Sequence, residues 1–112
     1  MKALSADFAR ELPQRFTELR ATWAECLAHR GDPRGWDLLQ SVHDIVHKFA
    51  GSGQHFGHVQ LSRAAAPLDE FLIHRRKRKR PLADDETARI EAMIQEIGRA
   101  ARLPENRIEP DV

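Results

Sequence analysis

Four of the six histidines in this 112-residue chain fall within HDIVHKFAGSGQHFGHVQLS, His43 to Ser62, with Gly51, Gly53 and Gly57 threaded among them. Imidazole can ligate a metal, move a proton or act as a nucleophile, because its ordinary pKa of about 6.5 leaves it largely neutral at cellular pH. Which of these a given histidine can do depends on what stands beside it and on whether it faces solvent.

The metal reading rests on His43 and His47, which HDIVH sets four apart on one helix face. That spacing mimics the H-E-x-x-H zinc helix, with Asp44 where glutamate belongs. Aspartate is one methylene shorter and fits the base role poorly. No downstream side chain is obviously placed as a third ligand, although His55 and His58 could be recruited, so no metal is expected. His43 lies on the flank of the apolar stripe, where a boundary histidine is the simpler reading. GSGQHFG has no preceding strand and no Gly-Lys-Ser/Thr ending, which excludes a phosphate loop, and Ser52 lacks a G-x-S-x-G elbow.

The elements that would position these residues are helices. Leu4 and Phe8 open a short N-terminal helix that Pro13 interrupts or restarts. Phe16, Leu19, Trp23, Cys26 and Leu27 then recur at the helical period, up to a stop at Gly31. Asp32-Pro33 supplies a capping acceptor followed by a proline suited to the first helical position. The helix that follows buries Leu38, Leu39, Val42, Ile45, Val46 and Phe49. Gln40, Asp44, His47 and Gly51 lie together on its opposite side, so His47 is predicted to face solvent. Gly51, one turn on, removes a side chain that would crowd it, at a cost of roughly 1 kcal/mol in helix stability. Fraying of the helix end at Gly51 and Gly53 explains the glycines equally well on spacing alone.

A further helix starts near Val59 and carries Leu61, Ala64, Ala65, Leu68, Phe71 and Leu72, with a kink expected at Pro67. The last is capped by Asp84 or Asp85 and carries Ile90, Met93, Ile94, Ile97 and Ala101. Short connections between amphipathic helices predict an all-α, antiparallel up-and-down four-helix bundle with a short extra N-terminal helix. It should occupy residues 1–103, with 104–112 as a loose tail.

Composition is that of an ordinary globular domain, 41% hydrophobic and 31% charged. The lone Cys26 excludes an internal disulfide and reads as a packed thiol. Without an apolar run long enough for a bilayer or a signal peptide, a cytoplasmic protein is expected. Arg75 to Arg80 holds six consecutive positive charges in a chain of net charge +1, so the remainder carries −5. The block reads as a solvated loop, set about 22 Å along its helix from the Gly51 end and screened by salt, rather than as a surface that steers a partner or binds nucleic acid or lipid.

HKFAGSGQHFG followed by LSRAAAPLDEFL closely resembles the histidine phosphotransfer (HPt) family: His47, Gly51 four later, Gly57, Leu61, then Leu68-Asp69. The resemblance implies a four-helix bundle that accepts a phosphoryl group on His47 from a receiver-domain aspartate and passes it to another receiver. Its partners would be receivers of a hybrid sensor kinase and a response regulator, met by a monomer. It implies that Asp69 holds Nδ1–H of His47, and that Gln40, Asp44 and Gly57 belong to the docking face. It implies no cofactor on this chain, with Mg²⁺ on the partner receiver, and a carrier rather than an enzyme, since no ATP-binding segment accompanies the motif. Many members place lysine three residues after the histidine, where this chain has Ala50; Lys48 is the available substitute, about 100° away around the helix. A binding-only adaptor of receivers and a zinc-binding bundle using His43 and His47 are the alternative readings.

Overall fold

The computed structural model describes residues 2–55 and 58–101, with side chains from Arg10 onward except at 53–57. Four helices account for nearly all of it: α1 (Lys2–Ala28), α2 (Pro33–His55), α3 (Val59–Arg75) and α4 (Asp84–Ala100). No strand occurs among the described residues. The segment expected as a separate N-terminal helix is continuous with α1, which runs through Pro13 without a break. Pro13 lies on the exposed face, where water can serve the carbonyl that a proline leaves without a donor. The Thr17 hydroxyl donates back to the Pro13 carbonyl at 2.9 Å. Residues 104–112 and Gly57 lie outside the described residues.

Cross-helix bonds set the directions. Between α1 and α4, Arg20 and Trp23 bond Glu91, while Phe16 lies against Gly98; position rises on one helix as it falls on the other. Between α2 and α3 the same order holds, from Arg76 at Gln40 through Asp69 at His43 and His47 to Ser62 at the Ala50 carbonyl. The bundle is therefore antiparallel and up-and-down. Its core joins Leu19 and Trp23 of α1, Val42, Val46 and Phe49 of α2, Leu61, Leu68 and Leu72 of α3, and Ile90, Ile94 and Ile97 of α4. Each such side chain contributes about 1.5–3 kcal/mol by leaving water. Leu27, expected in the α1 stripe, is instead exposed, and Leu12 is buried one turn before Phe16. Burial pushes the Cys26 thiol up to about 11.

Two helix starts differ in mechanism. At α2, Asp32 Oδ1 accepts the backbone N–H of Arg34 at 3.0 Å and of Gly35 at 3.3 Å, which is the side-chain cap that Asp32-Pro33 predicts. At α4 neither Asp84 nor Asp85 caps: Ala83 holds the cap position, and Glu86 reaches back to accept its N–H at 2.8 Å. Asp84 is spent on Arg30 instead, at 2.6 Å.

The basic block is not uniformly solvated. Arg75 is 3% exposed. Its guanidinium donates to both Glu86 oxygens and to the carbonyls of Arg78, Arg80 and Pro81, so it closes the loop onto α4. The Arg75 hydrogen bond is the first cause holding the Glu86 carboxyl below its usual range. Arg76 bonds Gln40 of α2, while Lys77, Arg78, Lys79 and Arg80 remain exposed. The sequence could count six charges there, but only the neighbouring helices decide which of them is buried.

Candidate functional site

The outward face of α2 carries Gln40, Asp44, His47 and Gly51, with Gln40 half-buried and the other three exposed. The apolar stripe of α2 turns these residues away from the core, and Gln40 and His47 lie on the edge that α3 and the loop after it reach. Gln40 donates to Asp44 at 3.3 Å and accepts from Arg76, so one end of the face is tied to the loop after α3. Arg76 thus meets the same face as His47, seven residues or about 10 Å away, nearer than the distance inferred for the block as a whole.

The His47 side chain is 68% exposed, and Asp69, reaching from α3, is 17% exposed. His47 Nδ1 lies 3.1 Å from Asp69 Oδ1. A carboxylate accepts, so Nδ1 is the donor, and in the neutral ring Nε2 keeps its lone pair. His43 is buried, its side chain 9% exposed, and its Nε2 lies 2.9 Å from the same Oδ1. The two imidazoles meet edge to face with centroids 5.9 Å apart. One carboxylate oxygen therefore serves two histidines of the preceding helix.

The role of His43 in this cluster is the feature that sequence reasoning missed. Its i, i+4 spacing to His47 placed both rings on one side, but only the crossing of α2 and α3 brings Asp69 between them. Lys48 is exposed on α2 beside His47. His58 is half-buried at the start of α3, and the His55 side chain is not among those described.

Gly51 lies inside α2, four residues before its end, not in a frayed terminus. A Cβ built there would meet nothing within 4 Å. Contrast Gly35, where a Cβ would stand 2.2 Å from the His29 carbonyl oxygen, and Gly98, where it would stand 2.8 Å from the Phe16 ring. Gly35 lets the first turn of α2 lie against the turn that follows α1, and Gly98 lets α4 approach Phe16 of α1; nothing within the fold requires Gly51 to lack a side chain.

A family model described as the Hpt domain matches residues 3–100. The chain belongs to the Hpt domain family. Neither the curated proteins nor the solved structures compared with it give a match. Hpt domains carry phosphoryl groups on histidine in two-component phosphorelays, as carriers rather than kinases, and interact with receiver domains. The four-helix architecture and this assignment agree. No helix among the described residues is long and apolar enough to cross a membrane.

Proposed function

We propose that this Hpt protein relays phosphate through His47, taking it from the receiver domain of a hybrid sensor kinase and giving it to that of a response regulator. The observation that carries the reading is the pairing of an exposed His47 with Asp69 through Nδ1, which leaves Nε2 outward as the nucleophile. Nε2 attacks the phosphorus of the receiver's aspartyl phosphate; the N–P bond forms as the acyl P–O bond breaks, and the aspartate leaves as carboxylate. Positive charge grows on the ring during attack, and the Asp69 carboxylate at Nδ1 stabilises it. Return transfer to a second receiver reverses these bonds. Little else is asked of the protein, since phosphoryl transfer of this kind depends on position and charge.

Gln40, Asp44 and Gly57 belong to the docking face in this reading, Gly51 lets the receiver approach, and Lys48, although about 100° around the helix from His47, is the cation offered to the incoming phosphate. Mg²⁺ is supplied by the receiver, and the protein acts as a cytoplasmic monomer without a cofactor. Incubation with a phosphorylated receiver tests the proposal: an acid-labile, base-stable phosphate is expected on His47 and absent from His47→Gln. Labelling that persists in His47→Gln would move the site to another histidine.

A further inference from the structure

His43, His47 and Asp69 together form a constellation that phosphotransfer alone does not account for. Hydrogen bonding one histidine needs one carboxylate, yet here a second, buried imidazole points its Nε2 at the same oxygen. One nitrogen from each ring and one Asp69 oxygen lie within 4.8 Å of one another. Two imidazoles and a carboxylate, with the remaining positions open to water, are a ligand set suited to Zn²⁺ and its first-row neighbours.

We propose that His43 Nε2, His47 Nδ1 and Asp69 bind a divalent transition-metal ion such as Zn²⁺, and that binding there and phosphorylation of His47 exclude one another. The second clause rests on the phosphorelay reading above; the first does not.

The distances favour the site. Tetrahedral zinc with bonds of about 2.0–2.1 Å holds its ligand atoms ~3.3 Å apart. The two N···O separations, 2.9 and 3.1 Å, need only widen by a few tenths of an ångström. The two nitrogens must draw together by up to about 1.5 Å, a movement open to the exposed His47 ring. One feature limits affinity: His43 Nδ1 is buried with no hydrogen-bond partner, so the acceptor that usually orients a ligating histidine through its other nitrogen is missing.

Exclusion follows from the tautomers. A neutral imidazole has one proton and one lone pair. Metal on His47 Nδ1 displaces the proton to Nε2, and Nε2 then has no lone pair with which to attack phosphorus. Conversely, with phosphate on Nε2, a metal can take Nδ1 only after that nitrogen gives up the proton it donates to Asp69, and phosphorus draws electron density from the ring, so the metal is bound more weakly. By linkage each event must weaken the other by the same factor.

The test uses untagged full-length protein and Zn²⁺ alone. Calorimetric titration should give one site per chain, weakened at least about 100-fold in both His43→Ala and Asp69→Asn, since loss of a ligand exceeds the roughly 10–100-fold typical of losing a group that only orients a ligand. Circular dichroism of each variant checks the fold, and the two variants sit on different helices. Binding that is absent, or unchanged in folded Asp69→Asn, overturns the site. For exclusion, phosphoramidate serves as donor with no receiver present: the N–P bond forms at Nε2 as the donor's own N–P bond breaks and ammonia leaves. Saturating Zn²⁺ should slow labelling of His47 at least tenfold, and chelator should restore it. Labelling unaffected by bound Zn²⁺ overturns the exclusion. If His47 takes no label even without metal while Zn²⁺ still binds, it is the phosphorelay reading that fails and not the metal site.

Discussion

Gly51→Leu should move stability and function in opposite directions, which is what separates a docking glycine from a structural one. The position is inside α2, exposed, and open to an added Cβ. Replacing an interior helix glycine with leucine recovers about 0.5–1 kcal/mol of propensity, reduced toward the lower figure by nearness to the helix end. For a domain of this size that raises Tm by about 2–6 °C. Along α2 the new side chain stands about 6 Å from His47, on the face a receiver must cover. Transfer requires reacting atoms to approach within roughly 3–3.5 Å, and displacement by about 1 Å can lower the rate by about 10²-fold. Transfer from a phosphorylated receiver should therefore fall at least tenfold while the urea midpoint rises. Gly51→Ala should show most of the stabilisation and a smaller loss of transfer. Unchanged transfer kinetics in a stabilised Gly51→Leu would reduce Gly51 to an ordinary helix residue. A lowered midpoint would mean that α2 does not continue through this position.

Three further outcomes follow from the same contacts. Asp69→Ala should slow phosphate acceptance by about 10- to 100-fold, since a hydrogen bond to a charged group contributes about 1.5–3 kcal/mol; quench-flow labelling of the folded variant reads it. Arg75→Gln should destabilise the protein by about 3–5 kcal/mol, because Glu86 and three loop carbonyls lose their shared donor, whereas neutralising exposed Lys77, Arg78 and Lys79 should change transfer less than about threefold at physiological salt; urea denaturation and transfer rates distinguish the two classes of cation. For Cys26, whose thiol is pushed up to about 11 by burial, the unfolded chain ionises first as pH rises, so its contribution is full below pH 9 and is lost as pH passes 11. The loss is about 2–3 kcal/mol, and the alkaline slope of stability should flatten in Cys26→Ala.

What the sequence disclosed divides along a physical line. Periodicity reports the direction of a side chain about its own helix axis, so the outward placement of His47 and the inward placement of Val42, Val46 and Phe49 were legible. Local capping chemistry was legible at Asp32, whose partners are two and three residues away. At α4 the same chemistry misled, because Asp84 is drawn to Arg30, 54 positions distant. Leu27 shows the limit at the edge of a stripe, where the position of the next helix decides burial. Arg75 is the strongest case: in a run of six cations nothing local marks the one that closes against Glu86. The fold was readable as four stripes, and the cluster around Asp69 only as two spacings whose meeting depends on how α2 crosses α3.

That crossing also distinguishes the site from the scaffold. Among the described residues, three carboxylates accept hydrogen bonds from an arginine beyond their own helix: Asp84 from Arg30, Glu86 from Arg75 and Glu91 from Arg20. At Glu91, burial opposes ionisation, but the bonds from Arg20 and Trp23 outweigh it and hold the carboxyl below its usual range. Arginine keeps its charge at any pH the protein meets, so each of these carboxylates is permanently compensated and can only brace. Asp69 also bonds across helices, yet its partners are the two imidazoles of His43 and His47. Imidazole, unlike guanidinium, carries no fixed charge, so the Asp69 carboxylate, 17% exposed, meets Nδ1 of an exposed ring without a permanent counter-ion. A carboxylate so placed responds to whatever positive charge arrives next to it, whether that charge develops on His47 as phosphorus is attacked or is carried in by a metal ion.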